Sequence, residues 1–379
     1  MALPQITIVI PCLNERKTLP FVLEKCLSIK KENKSKFEIE ILLSDNGSTD
    51  GSKEYATSLG VRVEPCEIRG YGAALDSGIR NAKGEIVLFA DADDTYDFLE
   101  APKLITRLLE TNADMVIGSR LDGKIHKGAM PFLHRYLGTP VINWIINRLY
   151  AKKFKIRDSN SGFRCFKKEK YLEWDVKSKG MEFASEMLIK ALQNGSVMEH
   201  VPVSLYPDKP GRIPHLKTWR DGMRHLLRIL FYAPYFFQKL GFIILILSFS
   251  QLLFGLFSGG ILEVYGFRIY GIHSLVLLSF ASLIGMSIWS VGLQIATRQS
   301  KTFGIYGKIL NWNEDRLFFV LLSGFLAMAF LFLYLVWKWK ENQYMFLNFE
   351  RELIVTSTTG LLLFLFGMNA LTAHILKRE

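Results

Sequence analysis

Cysteine is scarce and scattered in this chain. Cys12, Cys26, Cys66 and Cys165 form no CxxC pair, which excludes a zinc ribbon and a disulfide framework and fits reduced thiols in the cytoplasm. A signal peptide is missing too, because the apolar run 6–10 is broken by Pro11 and followed by Asn14-Glu15-Arg16. There is no internal repeat and no low-complexity tract. The net charge of +11 comes with neither zinc-finger spacing nor an RNA-binding signature, so nucleic acid is not the expected partner. Charge itself is absent over long stretches. Residues 240–262, 269–297, 317–337 and 353–376 contain no Asp, Glu, Lys or Arg. Each can cross a hydrocarbon core that needs about 20 apolar residues, so four transmembrane helices are predicted.

What is present follows the same division. A length of 379 residues suits one globular domain plus an appended unit. The expected organisation is a cytoplasmic domain over 1–209, a basic amphipathic interfacial segment over 210–239, and a transmembrane domain over 240–379. Residues 209–239 hold seven Lys or Arg against one acid, Asp221, a pattern suited to anionic headgroups or phosphate. Four spans return the C-terminus to the side of the N-terminal domain. Arg298, Lys301, Lys308, Arg316, Lys377 and Arg378 then lie inside, against Arg268, Lys338, Lys340 and Arg351 outside, which places both termini in the cytoplasm by the positive-inside rule. Small polar residues along the spans fit helix packing, and self-association into a homo-oligomer is compatible with them.

The first 120 residues alternate β-rich runs at 6–10, 38–43, 61–63, 86–89 and 115–117 with helical patterns at 19–29, 52–59, 73–81 and 100–110. That alternation predicts an α/β fold with a largely parallel sheet. Two later amphipathic segments, 132–150 (interrupted by Gly138-Thr139-Pro140) and 217–237, are read either as helices in the interfacial plane or as helices packed on the soluble domain.

Ligands of open α/β sheets bind beyond the carboxyl ends of the strands. Residues 11–15 follow the first strand, 45–50 the second, and Asp91-Ala92-Asp93 the fourth, so the three converge on one edge. Asp45 suits a base or ribose, although Asp45 to Asp50 also reads as a turn with an N-cap. Asp91 and Asp93 suit Mg²⁺ or Mn²⁺, which share oxygen ligands with substrate phosphates. Arg69-Gly70-Tyr71-Gly72 is not a dinucleotide fingerprint, since Leu75 stands where the third glycine would fall; Gly70 and Gly72 are expected to let backbone approach a donor. Asp158 orients a sugar or caps a turn. Glu182 and Glu186, one helical turn apart, are read as solvated helix acids. His126, His134 and His215 are read as surface or substrate-orienting residues.

On Ile8-Val9-Ile10-Pro11, Asn14-Glu15, the Asp45 to Asp50 turn and Asp91-Ala92-Asp93, the chain resembles a family 2 glycosyltransferase. Gly118-Ser119-Arg120, Asp158 with Ser161-Gly162-Phe163-Arg164, and Arg212 with Lys217 make it similar to polyprenyl-phosphate hexosyltransferases of the dolichyl-phosphate mannose or glucose synthase type. The resemblance implies a GT-A fold, nucleotide binding by Pro11, Leu13, Glu15 and Asp45, and metal binding by Asp91 and Asp93 with Thr95 at a third position. It implies that Arg120, Arg135, Arg212 and Lys217 gather around a lipid phosphate. Asn46 departs from the commoner second Asp of its turn. Ile213-Pro214-His215-Leu216 favours the glucose branch, so UDP-glucose is the expected donor and GDP-mannose the second. A processive synthase is disfavoured, because spans before the domain and a Gln-x-x-Arg-Trp motif are both lacking. A non-catalytic scaffold or lipid-flipping partner is disfavoured by the intact Asp91, Asp93, Arg120 and Arg212.

Overall fold

Alternating burial along the first strand shows how the N-terminal sheet is built. Ile6, Ile8 and Ile10 point to one face, together with Ile39, Ile41 and Leu43 of the next strand and Leu88 and Ala90 further on. The helix Leu19–Glu32 covers that face with Leu19, Val22, Leu23 and Cys26, and the helix Ala101–Thr111 with Leu104, Ile105 and Leu108. The computed structural model of the chain describes residues 3–210, 218–257, 262–264, 267–299, 304–341 and 350–378.

The chain divides into two compact units, Met1–Leu230 and Phe231–Glu379. The first holds a seven-stranded sheet of β1 (Gln5–Cys12), β2 (Glu38–Asp45), β3 (Arg62–Pro65), β4 (Ile86–Phe89), β5 (Met115–Ser119), β6 (Arg164–Lys167) and β7 (Met198–Pro202). Its spatial order is β3-β2-β1-β4-β6-β5-β7. β6 runs antiparallel between β4 and β5, and every other pairing is parallel. This is the GT-A-like α/β architecture expected from the sequence. The strand order reverses beside β1, and such a reversal opens a crevice at the carboxyl ends.

Of the two amphipathic segments, each packs one face on this unit. In the helix Thr139–Tyr150, Ile146 is buried and Asn143 accepts from the Ser159 amide at 2.9 Å, while Trp144 remains 67% exposed. A π-helical turn, His134–Gly138, leads straight into that helix, so Gly138 to Pro140 marks a change of pitch and not a break. In the helix Thr218–Phe231, Asp221, His225 and Ile229 are buried, and Met223 and Leu227 are exposed. His225 Nδ1 meets Ser185 Oγ at 2.7 Å.

The second unit contains four helices long and apolar enough to cross a membrane: Pro234–Phe257, Ile272–Arg298, Glu314–Glu341 and Glu350–Lys377. The first begins six residues before the uncharged run, and Lys239 sits within it over the Tyr235 ring. A Cβ at Gly241 would lie 2.4 Å from the Trp289 nitrogen, and one at Gly285 2.6 Å from the Leu245 nitrogen. Glycine at both positions therefore lets the first two helices touch backbone to backbone. Ser248 and Ser282 hydroxyls pair across that contact at 2.9 Å.

A short helix, Gly304–Leu310, is pinned at both ends by other helices of this unit. With its amide oxygen turned inward, Gln238 of the first long helix accepts from the Ile305 and Tyr306 amides at 3.1 and 3.3 Å. Lys377 of the last donates to the Leu310 carbonyl. The start of the first long helix, the loop between the second and third, and the end of the fourth thus meet at one end of the bundle.

Candidate active site

β4 ends at Phe89 and delivers Asp91 just past the sheet edge. The antiparallel entry of β6 decides what Asp91 faces, because Arg164 pairs with Phe89 and so brings residues 158–163 to the same edge. A Cβ at Gly162 would stand 2.6 Å from Asp91 Oδ2, so only glycine leaves room for that oxygen. Asp91 Oδ1 accepts from the Tyr71 hydroxyl at 2.8 Å. Burial and then the Asp91 charge push the Tyr71 hydroxyl far above its ordinary value, so it is a fixed donor.

Asp93 belongs to the turn itself. Its Oδ1 accepts from the Thr95 amide at 3.0 Å and the Thr95 hydroxyl at 2.7 Å, which sets the carboxylate's orientation and puts Thr95 Oγ1 beside it. Asp94 follows in the left-handed region with φ 59°.

β5 ends at Ser119 and presents Arg120 from the other side. Asp158, fully buried, grips it with both oxygens: Oδ2 accepts from Arg120 N at 2.9 Å and Nε at 2.8 Å, and Oδ1 from Nη2 at 2.7 Å. Burial alone would raise the Asp158 carboxyl; the charge and hydrogen bonds of Arg120 overcome it and hold it below the ordinary range. Of the two readings of Asp158, the structure thus shows a third role, fixing Arg120. Tyr96, its hydroxyl pushed up to about 12 by burial, donates no charge here but meets the Gly162 amide at 2.8 Å. Arg164 lies fully buried on the carbonyls of Ser159, Ser161 and Ala184, and burial pushes it down to about 10, still protonated at neutral pH.

On the β1–β2 side, Cys12 pairs with Asp45. Pro11, Cys12, Glu15, Asp45 and Asn46 are buried, with Leu13 half-buried between them. Asp45 accepts from the amides of Gly47 and Ser48 at 3.2 Å, closing its own turn. Thr18 Oγ1 ties Glu15 Oε2 at 3.0 Å to the Ala92 carbonyl at 2.8 Å, linking the first strand end to the Asp91 turn. Asn46 has a specific task that an aspartate could not perform. Its Nδ2 donates to the Ile68 carbonyl at 2.7 Å while its Oδ1 accepts from the Gly70 amide at 2.8 Å.

Gly70 and Gly72 are both tightly packed. The Gly70 φ of 139° suits glycine, but a Cβ there would fall 2.1 Å from the Lys179 carbonyl oxygen, and one at Gly72 2.6 Å from the Ser178 carbonyl. On the Cβ side the space is taken by the protein's own backbone. Glu186 requires correction: it is fully buried and accepts from the amides of Lys177 and Ser178 at 3.0 and 2.8 Å, because the loop before its helix folds back over it. Arg135 is exposed with its guanidinium 5.4 Å from the Tyr136 ring, whereas the neighbouring His134 is half-buried, its pKa lowered by burial and then by Arg120. Arg212, His215 and Lys217 lie outside the described residues. Tyr71 and Tyr96 were missed in the sequence; an aromatic hydroxyl between two glycines, and another three residues after Asp93, were the available signals.

Comparison with known proteins agrees with this geometry. Residues 7–173 match the profile of "Glycosyl transferase family 2". The chain is similar to the low-salt glycan biosynthesis hexosyltransferase Agl6 of Haloferax volcanii, 31% identical over 83% of this chain and 74% of the relative. It is also similar to glycosyltransferase AglJ of the same organism, 30% identical over 57% of this chain and 68% of the relative. Among solved structures, glucosyl-3-phosphoglycerate synthase from Mycobacterium tuberculosis, crystallised with Mn²⁺, UDP and glucosyl-3-phosphoglycerate, shares the fold. Its TM-score is 0.50 at 19% identity, covering 61% of this chain and 80% of that one.

Proposed function

The chain belongs to the family 2 glycosyltransferases, and on that premise we propose that it transfers a hexose from a nucleotide sugar to polyprenyl phosphate, with inversion, at the cytoplasmic face of a membrane. One observation carries this reading: the Asp91–Tyr71 pair and the Arg120–Asp158 pair meet at a single sheet edge around Gly162. UDP-glucose is the favoured donor and GDP-mannose the second. The hexosyltransferase name of the Haloferax relative supports the sugar class.

The donor set suits a hard divalent cation. Two carboxylates in one turn, one of them given room by the glycine at position 162, match the way Mg²⁺ is held by one or two carboxylates plus substrate phosphates. Among the described residues there is no group of three or more His, Cys, Asp or Glu poised for a metal, so the substrate would complete the shell. Asp91 and Asp93 would hold Mg²⁺ or Mn²⁺, with Thr95 beside Asp93, and the ion would neutralise the leaving diphosphate. Pro11, Leu13, Glu15 and Asp45 line the nucleotide side, with Gly70 shaping the loop next to them.

Arg120, with Arg135, Arg212 and Lys217, would neutralise the attacking lipid phosphate. One phosphate oxygen forms the new bond to the anomeric carbon as the bond to the nucleoside diphosphate breaks. A phosphate monoester is anionic near neutral pH, with a second pKa of about 6, so no strong general base is needed. Electrostatic stabilisation at both ends is what the protein supplies.

The proposed division is a catalytic domain over 1–209, an interfacial segment over 210–239 and a membrane domain over 240–379. The inward orientation of both termini is supported by the distribution of Lys and Arg and by the shared bundle end at Gln238, Gly304 and Lys377.

Incubating membranes with labelled UDP-glucose, GDP-mannose and other nucleotide sugars, then extracting the lipid, tests the reaction. Label from UDP-glucose is expected in a lipid fraction that releases its sugar under mild acid. No lipid-linked product from any donor sinks the reading. Arg212→Ala is expected to raise the KM for lipid phosphate about 10-fold or more, the loss of one charge-assisted contact worth about 1.5–3 kcal/mol. An unchanged KM would remove Arg212 from the acceptor site.

A further inference from the structure

Three acids stand close together after β4, and the third is treated differently from the other two. Asp91 turns to Tyr71 and Asp93 to Thr95, but Asp94, whose backbone is left-handed, has a carboxylate that is 3% exposed and paired elsewhere. Two lysines hold it there from separate parts of the chain. Lys25, from the helix Leu19–Glu32, lies 2.8 Å from Oδ1 and also reaches Asp97 at 3.2 Å. Lys209 lies 3.0 Å from Oδ2, its ammonium 4.8 Å from the Phe21 ring of that same helix.

The segment that carries Lys209 is itself stitched to the turn. Tyr206 N donates to the Thr95 carbonyl at 2.8 Å, and Leu205 bridges antiparallel to Tyr96. The Asp91 to Tyr96 turn is therefore fastened on three sides: by Lys25, by Lys209, and by the backbone of residues 205–206. An aspartate at positive φ costs about 1 kcal/mol or more and persists where its surroundings enforce it, as the two lysines do here.

We propose that Asp94, Lys25 and Lys209 form a positioning clamp that sets how tightly the Asp91–Asp93 turn holds its cation, and through it the donor, without touching either. This rests on the reading that the turn binds a divalent ion with the nucleotide sugar. Outer groups of this kind fix the angle at which a carboxylate meets a metal. Because the clamp acts through the cation that binds the donor, its effects are expected on the donor side.

Direct binding tests it. Mn²⁺ is titrated into the full-length protein in detergent, free ion is followed by electron paramagnetic resonance, and KM values for UDP-glucose and lipid phosphate are measured in parallel. Asp94→Asn and Lys25→Met are each expected to weaken Mn²⁺ binding about 10-fold, the lower end of what loss of an outer-shell partner brings. The KM for UDP-glucose rises in step, the KM for lipid phosphate stays put, and Lys25→Arg restores most of the loss. Folded Asp94→Asn with wild-type Mn²⁺ affinity overturns the clamp. Failure of the wild type to bind Mn²⁺ overturns instead the metal reading on which the clamp stands. Should Asp94→Asn not fold, Lys209→Gln, at a lysine 42% exposed, carries the same expectation and the same refutation.

Discussion

Asp93→Ala loses about 100- to 1000-fold in kcat while the protein stays folded and inserted, a loss on the scale of removing one preorganised stabiliser of transition-state charge. Asp93 lies in a turn outside the sheet, and its carboxylate accepts from the Thr95 amide and hydroxyl. Losing two such bonds at a partly exposed site costs about 1 kcal/mol each, too little to unfold an α/β domain. Asp93→Asn separates geometry from charge, since its amide oxygen can still accept from Thr95. Activity measured with purified lipid acceptor and added Mn²⁺ should fall nearly as far in Asn as in Ala. An Ala variant that keeps most of its activity removes the cation from the mechanism.

The second large effect is on stability. Asp158→Ala leaves Arg120, whose side chain is 12% exposed, with three donors facing no acceptor. Breaking a buried pair from one side costs about 3–5 kcal/mol, a large share of the roughly 5–15 kcal/mol that holds a domain. The urea midpoint should drop accordingly. Replacing both partners, Arg120→Met with Asp158→Leu, should recover the part of that stability owed to the side chains, though the residue 120 amide still lacks its acceptor, and none of the activity. A single variant as stable as the wild type would show that the pair is not the anchor described. The pH dependence has a definite sign. The Asp158 carboxyl is depressed in the folded protein, so its contribution is complete above the unfolded value of about 3.9 and is lost as pH falls through the lower folded value. Acid unfolding below about pH 4 should therefore be less steep in the double variant.

Much of the N-terminal fold was legible because it rests on local signals. The runs that became β1, β2 and β4 are apolar with abrupt polar ends, and Pro11, Asp45 and Asp91 mark those ends. The four membrane helices were legible from missing charge alone, although Lys239 inside the first shows that a cation can join a span's first turns. β6 was not legible. Four residues, Arg164–Lys167, carry no periodicity, and only their antiparallel pairing with β4 reveals that they bring Gly162 to Asp91. Glu186 looked like a solvated helix acid because nothing in its own helix says that residues 177–178 will fold over it. Gly70 and Gly72 lie against the backbone of Lys179 and Ser178, a contact between distant segments that no local pattern in the sequence announces.

The short helix Gly304–Leu310 has its first amides met by Gln238 and its last carbonyl by Lys377. Those two residues emerge from the ribosome at opposite ends of the hydrophobic region. Lys377 is synthesised after both Gln238 and the loop, so the Leu310 carbonyl gains this partner only once the helix that carries the lysine has formed.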